Sequence, residues 1–543
     1  SGEFKQSAAG RDHVDGGTYF FDDDADLLLA GQHVERLGQE CVADAQQGKK
    51  AWTLLLYFVP DEKIENSLIG NINDIAKVGS GQDLNIVLMF DYASSKPTTY
   101  YYIDRGGVKK IKELGETNMG SPQVFYDFIK FGMTNYPAEH YALIINSHGS
   151  GWESYYGGGS VATGVQLDSQ IDINPAYQRP FNFDGINLSD LDRAIAYDDD
   201  PSDCLTLKEL KKSIGLACKN FNASKKLDIF IADACLFAMI EAAYEMKDAA
   251  SVIMGSESTI PGTGLDYRTI ASELTKNPAI NAFDLSKSIA KSFTASSYGD
   301  NILVGINTGA IEPLAAAFSD MASKLLKVSA KRSFSGVSKI GDVDKYSDIM
   351  DIANCIINKE ISFASDPAYP EAANQAKIVK EKLNEALCAY SASGSFRNGF
   401  GGISVYWPDK TRYPKYKAFY KALDFSGKFQ WDEFLDSQLL GLAPQAAPAR
   451  GGVNALVSEL DGAFFSIRQN SALNEKSSVS NESAKIEYLK KAIVDGAVKS
   501  HKTGDYKTVH ETLREIRNAK SIDTATKNKM INDLKQGVGP IDK

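Results

Sequence analysis

The chain has 543 residues, of which 43 % are hydrophobic and 24 % charged, and its formal net charge is −11. A globular chain of this length is expected to form about two to four domains. The negative charge argues against a protein that grips nucleic acid over a broad surface, because neutralising phosphates requires a clustered excess of Lys and Arg. The longest apolar runs, such as Leu54–Val59, fall far short of the ~20 residues that span a bilayer.

The first fifty residues differ in character from the rest of the chain. Residues 1–50 are polar, rich in Asp, Gly and Gln, and end in Lys49 and Lys50. They contain no apolar run of the ~7–15 residues that forms the centre of a signal peptide. We therefore predict a leader or pro-segment over 1–50 and a folded domain with insertions over 51–441.

Apolar runs alternate with helical patterns after residue 50, which predicts an α/β fold. The runs are continuous, as is typical of strands buried on both faces of a parallel sheet. A helix is predicted over 62–78, and another from Pro122, with Ser121 as its cap. The predicted strands of this part are Trp52–Phe58, Leu84–Phe90, Thr98–Ile103 (half of a hairpin), Tyr141–Ser147, Leu227–Ala232 and Val252–Met254.

The second half of the chain predicts further strands and a C-terminal extension. Strands are expected at Asn301–Asn307 and Gly402–Trp407, with helices between about 310 and 395. Residues 442–452 are rich in Pro, Ala and Gly and are typical of a linker. The pattern over 453–543 predicts an extra helical C-terminal region.

A long segment rich in Gly, Asn and Asp covers residues 153–200. A stretch of this length inside a compact domain is usually functional, for example a processing or lid loop. Its end carries Asp198–Asp200, with Asp203 nearby, and Ca²⁺ takes oxygen ligands of this kind. A run of acids in a loop is more often simply solvated, and the six His residues show no zinc-binding spacing. We predict no metal site and no cofactor.

Two side chains of catalytic type follow neighbouring predicted strands. His148 follows the third buried strand and Cys235 the fourth. Reactive groups in an open α/β sheet lie at the carboxyl ends of strands, so the two side chains are expected on one edge. A thiol with a free pKa of about 8.5 needs an adjacent base, and imidazole can take its proton and return one to a leaving amine.

The residues beside this pair fit acyl transfer. That reaction needs backbone N–H donors aimed at the developing oxyanion. Gly149 and the N–H of Cys235 are the predicted donors. A helix is predicted over 236–246, and its N-terminus would favour a thiolate at Cys235.

Each residue alone also has an ordinary interpretation. A Cys at a strand end is most often a small core hydrophobe. A His among glycines is often a loop residue with a satisfied hydrogen bond. The two together, at matching strand ends, favour catalysis. The other cysteines lack such a partner and are interpreted as structural; they include Cys204, Cys218, Cys355 and Cys388.

Four blocks of sequence around these residues resemble the clostripain-like cysteine peptidases. The blocks are NSHGSGW (146–152), AYDDDPSDCLTLKEL (196–210), DACLFAMIEAAYE (233–245) and SESTIPGTGLDY (256–267). The family belongs with caspases, gingipains, legumain and separase to one caspase-like clan, and the resemblance runs from about Trp52 to Trp407. It implies a caspase-like sheet of mostly parallel strands flanked by helices, with His148 as base and Cys235 as nucleophile.

The resemblance also implies an activity and a location. It implies cleavage of proteins or peptides after Arg or Lys, and it suggests a bacterial protein that is secreted, periplasmic or on the cell surface. Asp233, two residues before the nucleophile, is the predicted acid that pairs with the substrate cation. The alternative is that Asp233 only caps the predicted helix 236–246.

Basic residues in three connecting segments match this specificity and suggest a self-processing zymogen. The candidate cleavage sites are Lys50, Arg193 and Arg450. Arg179 is less suitable, because Pro180 follows it and fixes the backbone. Two other functions remain open: a non-catalytic binding protein that uses the C-terminal helical region, and a peptidase with a different preference should Asp233 point away from the pocket.

Overall fold

The computed structural model describes residues 49–93, 96–152, 195–199, 202–297, 299–329, 332–340, 345–397 and 399–442. The predicted leader up to residue 48, the linker from 443 and the C-terminal region 453–543 lie outside these residues. So do the candidate cleavage sites Arg193 and Arg450.

A nine-stranded sheet runs through the described part of the chain, with the order β12-β10-β9-β8-β5-β1-β2-β3-β4. The strands are β1 (Lys50–Phe58), β2 (Leu84–Phe90), β3 (Thr98–Asp104), β4 (Gly107–Gly115), β5 (Ala138–Asn146), β6 (Ile195–Asp199), β7 (Ser202–Leu205), β8 (Leu227–Asp233), β9 (Ala250–Gly255), β10 (Ile302–Asn307), β11 (Tyr346–Asp348), β12 (Leu387–Ala392) and β13 (Ser404–Tyr406). Strands β6 and β7, and strands β11 and β13, form two separate two-stranded sheets.

Helices cover both faces of the main sheet. They are α1 (Glu65–Ala76), α2 (Pro122–Asn135), α3 (Leu207–Phe221), α4 (Ile240–Glu245), α5 (Tyr267–Lys276), α6 (Ala282–Ser296), α7 (Ile311–Leu326), α8 (Ile349–Ile357), α9 (Tyr369–Ala386), α10 (Tyr413–Tyr420), α11 (Asp424–Lys428) and α12 (Trp431–Leu440). The expected α/β class, with mostly parallel strands flanked by helices, is confirmed.

The central strands are apolar throughout because each face is buried against helices. Strands β1, β2, β5, β8 and β9 pair in parallel. In β1, Leu55 belongs to the core that includes Phe128 of α2, whereas Leu54 belongs to the core that includes Ile72 of α1. Burying such a side chain stabilises the fold by roughly 1.5–3 kcal/mol.

The outer strands are antiparallel. The hairpin of β3 and β4 closes one side of the sheet, and β10 and β12 close the other. Strand β4 presents exposed Lys109 and Lys110. Charged edge strands resist pairing with other chains.

One predicted strand is confirmed over fewer residues than expected. The run 402–407 forms only the short strand β13, which pairs with β11 outside the main sheet. The main sheet ends instead on β12, which the sequence pattern does not predict. No helix among the described residues is long and apolar enough to cross a membrane.

Candidate active site

The last residues that pair across the neighbouring strands β1, β5 and β8 set the geometry of the site. We call these three residues the Phe58–Asn146–Asp233 row. Phe58 of β1 pairs with Asn146 of β5, and Asn146 pairs with Asp233 of β8. His148 and Cys235 each lie two residues beyond this row. The predicted meeting of the two strand ends at one edge of the sheet therefore follows from the observed register.

Gly149 brings the two strand ends into contact. A Cβ atom built on Gly149 would lie 2.5 Å from the carbonyl oxygen of Cys235 and 3.1 Å from its backbone nitrogen. Real Cβ atoms do not approach backbone atoms so closely, so the position has room only for glycine. The residue after His148 thus packs directly on the peptide unit of Cys235.

The chain after Cys235 is an extended turn, and the helix predicted over 236–246 begins only at Ile240. Leu236 adopts a left-handed conformation with φ 62°. Its N–H donates to Ser258 O at 2.9 Å, and the N–H of Ala238 donates to Ser256 O at 2.9 Å. These two bonds tie the turn to the segment after β9. The prediction of a helix N-terminus at Cys235, and of its dipole acting on the thiol, is wrong.

The segment after β9 also holds the sulfur. Ile260 N–H donates to Cys235 Sγ at 3.3 Å. Burial raises the pKa of the Cys235 thiol; the Ile260 N–H opposes this rise, and the charge of Asp233 adds to it. A thiol in this environment needs a base before it can act as a nucleophile. Ile260 is a contact that sequence reasoning missed.

His148 makes a hydrogen bond to an acid that the sequence analysis did not identify. Its Nε2 lies 3.0 Å from Oδ2 of Asp61, in the connection after β1. The His148 side chain is 53 % exposed, so substrate can reach it. Asp61 lies three residues beyond Phe58, in the connection that follows β1, and β1 is the strand next to β5, which His148 follows.

Asp233 is buried, and one of its oxygens is surrounded by donors. Oδ2 accepts hydrogen bonds from Asn146 Nδ2 at 2.6 Å, Tyr267 OH at 2.6 Å and Leu265 N at 3.0 Å. Oδ1 has no hydrogen-bond partner among the described residues. Burial raises the pKa of Asp233, and the three hydrogen bonds oppose that rise. Because Oδ2 accepts from Leu265 and the helix begins at Ile240, Asp233 does not cap the predicted helix 236–246.

The first described residues after the 153–194 gap run beside the His148 loop. Ile195 forms an isolated antiparallel bridge with Gly149. Tyr197 N–H donates to Ser147 Oγ at 2.9 Å. Both residues adjacent to His148 are therefore in contact with this segment.

Lys50 is the one candidate cleavage residue that the structure describes. It is the first residue of β1, and its Nζ donates to Gly81 O at 2.7 Å. Of the acids considered for calcium, Asp198 and Asp199 lie in β6 and Asp203 lies in β7, and Asp200 is outside the described residues. Asp198 Oδ2 accepts from Met119 N at 2.6 Å, and Asp203 Oδ2 accepts from Asn118 Nδ2 at 3.0 Å. Among the described residues, no group of three or more His, Cys, Asp and Glu could hold a metal ion.

Comparison with known proteins identifies the family. The chain matches the clostripain family over residues 57–170 and 186–438, which include His148 and Cys235. Clostripain of Hathewaya histolytica is 25 % identical over 248 residues. That match covers 40 % of this chain and 41 % of clostripain, so it spans less than half of the relative's length.

Solved structures that are similar to this chain include two C11 proteases. A secreted protease from Bacteroides thetaiotaomicron, in complex with an irreversible peptide inhibitor, is 16 % identical with a TM-score of 0.49, covering 70 % of this chain and 99 % of that one. An inactive zymogen from Parabacteroides distasonis is 17 % identical with a TM-score of 0.47, covering 71 % and 98 %.

The α/β sheet and the match to a family model together define the class to which the protein belongs. More specifically, the chain belongs to the clostripain family.

Proposed function

We propose that this chain is an endopeptidase that cleaves after Arg or Lys by a dyad of His148 and Cys235. The observation that carries the proposal is the close approach of Gly149 to the Cys235 peptide, 2.5 Å from its ideal Cβ to the carbonyl oxygen. This approach supports the placement of the base His148 and the thiol Cys235 close together, at the ends of two adjacent strands. It also supports Gly149 and Cys235 as neighbouring backbone N–H donors for an oxyanion.

The reaction follows from these groups. The proton of the Cys235 thiol passes to His148, and Sγ attacks the carbonyl carbon of the scissile bond. The C–N bond breaks, the amine leaves with the proton from His148, and an acyl thioester remains. His148 then takes a proton from water, whose oxygen attacks the thioester carbon. The C–S bond breaks, the acid is released, and His148 returns the proton to the Cys235 sulfur.

Asp233 is the proposed partner of the substrate cation. Its Oδ2 is fixed by Asn146, Tyr267 and Leu265, whereas Oδ1 has no partner among the described residues. A guanidinium or ammonium reaching Oδ1 forms a charge-assisted hydrogen bond in a desolvated setting. A substrate with Asp or Ala at this position leaves the acid unpaired, which is costly when it is buried.

Self-processing is proposed at Arg193. The bond after Arg193 lies two residues before Ile195, which bridges Gly149. Cleavage there gives the segment that runs beside Gly149, the proposed oxyanion donor, a free N-terminus. Cleavage after Lys50 would instead cut β1 behind its first residue. Arg450 and removal of the segments 1–50 and 453–543 stay predictions, as does an exported location.

Paired fluorogenic peptides test the proposal. Peptides with Arg or Lys before the scissile bond are compared with peptides carrying Asp or Ala. The enzymes are the parent chain, Cys235→Ala, and Cys388→Ala as a matched control for another partly exposed thiol, 3.6 Å from Ser286. We expect cleavage after Arg and Lys that disappears only in Cys235→Ala. Absence of cleavage by the parent chain, even after limited trypsin treatment, would favour a non-catalytic binding protein.

A further inference from the structure

We propose that Asp61 is the positioning residue of His148, holding the imidazole in the tautomer that carries its proton on Nε2. Nδ1 is then the nitrogen that receives the proton of Cys235. This inference rests on the dyad proposed above. It adds a third side chain to the site and assigns separate tasks to the two imidazole nitrogens.

The Asp61 carboxylate is held in place from its own segment. Oδ1 accepts hydrogen bonds from the N–H of Lys63 at 3.0 Å and of Ile64 at 3.1 Å. The carbonyl oxygen of Asp61 accepts from the N–H of Glu65 at 3.0 Å, where α1 begins. The carboxylate is therefore fixed by backbone donors through one oxygen, and the other oxygen faces the imidazole.

The strand order places the three side chains in sequence across the sheet. Cys235 follows β8, His148 follows β5 and Asp61 follows β1, and these strands are direct neighbours. The N–H of Val59 donates to Asn146 O at 2.9 Å, so the ends of β1 and β5 remain paired up to this point. The rigid sheet thus sets the distance between the acid and the base.

The charge of Asp61 determines which nitrogen of His148 is free. Partial burial works to raise the pKa of Asp61, but the hydrogen bond and charge of His148, with the N–H groups of Ile64 and Lys63, hold it below its usual value. An ionised carboxylate only accepts hydrogen bonds. Nε2, 3.0 Å from Oδ2, must therefore be the donor, so in the neutral imidazole the lone pair is on Nδ1.

A purely structural role for Asp61 makes a different prediction. If Asp61 only closes the turn before α1, then Asp61→Asn changes little, because the amide oxygen still accepts from Lys63 and Ile64. If Asp61 sets the tautomer, the same substitution presents an N–H group to Nε2. His148 must then accept at Nε2 and carry its proton on Nδ1.

The chain offers a matched control in a second His–Asp pair. His140 Nδ1 lies 2.8 Å from Asp228 Oδ1, and Asp228 Oδ2 accepts from Tyr141 N. His140 is in β5, opposite Trp52 near the start of β1, and so lies at the other end of the sheet from His148. Asp228→Asn makes the same chemical change as Asp61→Asn, away from the proposed site.

The first experiment is nitrogen NMR of the full chain with labelled histidine. It uses Cys235→Ala as the parent, which removes turnover and self-cleavage, and assigns the His148 signals by their loss in His148→Gln. We expect the Nε2–H pattern in the parent and the Nδ1–H pattern after Asp61→Asn. Asp228→Asn should move the signals of His140 alone. An unchanged His148 pattern in Asp61→Asn would overturn the proposal.

The second experiment is kinetic and uses the chain with Cys235 intact. We expect Asp61→Asn to lower kcat by about 10²–10⁴-fold, the range that positioned proton transfer contributes, with KM within about twofold. Asp228→Asn should leave both constants unchanged. A changed tautomer with unchanged kcat would also refute a positioning role. Failure of the dyad itself is distinguishable, because activity would then survive in Cys235→Ala while the NMR result still decides the role of Asp61.

Discussion

Asn146 donates a hydrogen bond from Nδ2 to Oδ2 of Asp233 at 2.6 Å, and the two residues are register partners on β5 and β8. The bond joins the two strands two residues before the proposed base, His148, and the proposed nucleophile, Cys235. It also orients the acid proposed to recognise the substrate. One contact therefore couples the spacing of the dyad to the position of the specificity residue.

Replacing Gly149 with alanine should damage catalysis more than folding. The new methyl group would meet Cys235 O at 2.5 Å and Ala234 Cβ at 2.8 Å, so the two strand ends must separate. Overpacking of this kind costs about 1–3 kcal/mol. We expect cleavage of an Arg peptide to be lost while thermal unfolding stays cooperative with a lower midpoint.

Gly215→Ala is the control for that substitution. Gly215 lies inside α3, and a Cβ there meets nothing within 4 Å. Alanine in a helix interior is favoured over glycine by roughly 0.5–1 kcal/mol. Gly215→Ala should therefore be as active as the parent and slightly more stable. Equal activity in both variants would show that the close approach at Gly149 has no role in catalysis.

Tyr267→Phe should weaken recognition of the substrate cation without removing Asp233. Tyr267 OH donates to Asp233 Oδ2 at 2.6 Å and opposes the effect of burial on that pKa. Without this donor the Asp233 pKa rises further, and Oδ2 loses one of the three donors that hold it in place. We expect kcat/KM for Arg peptides to fall about 10- to 100-fold, as for one hydrogen bond to a charged group.

Tyr92→Phe controls for the loss of a buried tyrosine hydroxyl. Tyr92 OH lies 2.8 Å from Tyr101 OH, in a pair without contact to Asp233. This variant should lose stability but keep its kcat/KM ratio between Arg and Ala peptides. If Tyr267→Phe also keeps that ratio, then the hydrogen bond to Asp233 does not act on specificity.

Glu241→Gln should make the chain more stable above neutral pH. Burial raises the pKa of Glu241 from 4.5 to about 7, against hydrogen bonds from Tyr406 N and Tyr420 OH. The unfolded chain ionises this group near its ordinary pKa, whereas the folded chain does so only near pH 7. Glu241 therefore stabilises the folded chain at low pH. This contribution to the free energy of unfolding, up to about 3 kcal/mol, is lost as the pH rises from about 4.5 through 7.

Urea unfolding at pH 5 and pH 8 measures this effect. The glutamine never ionises, so Glu241→Gln should show a smaller loss of stability between the two pH values than the parent. Glu113→Gln, at a side chain that is 51 % exposed, should keep the parent's dependence. The same pH dependence in Glu241→Gln and in the parent would rule out ionisation of Glu241 as its cause.

The sequence predicts the central strands well because burial on both faces leaves a continuous apolar run. The predicted strand Leu84–Phe90 is observed with those bounds, and Leu227–Ala232 extends by one residue. The sequence pattern does not predict the edge strands β4 and β12, because β4 carries several charged residues and β12 follows directly on helix α9. The same logic explains why His148 and Cys235 were found: each directly follows a strong strand signal.

Other parts of the site could not be predicted because they depend on tertiary contacts. Residues after Cys235 have an apolar pattern that suits a helix, but Leu236 turns left-handed and bonds to Ser258. Asp61 belongs to a connection whose position beside His148 depends on the pairing of β1 with β5. Neither contact is local in sequence.

Arg193→Ala should prevent the proposed self-cleavage within the long insertion. The bond after Arg193 is two residues from Ile195, whose bridge to Gly149 brings this segment beside the proposed active site. Arg179→Ala is the matched control, since Pro180 makes the bond after Arg179 a poor substrate. Incubation of the parent, both variants and Cys235→Ala, followed by mass spectrometry of the fragments, measures the effect.

We expect a new N-terminus at Ala194 in the parent and in Arg179→Ala only. A fragment beginning at Ala194 in Cys235→Ala would identify another protease as its source, and a full-length parent would mean that the chain does not process itself.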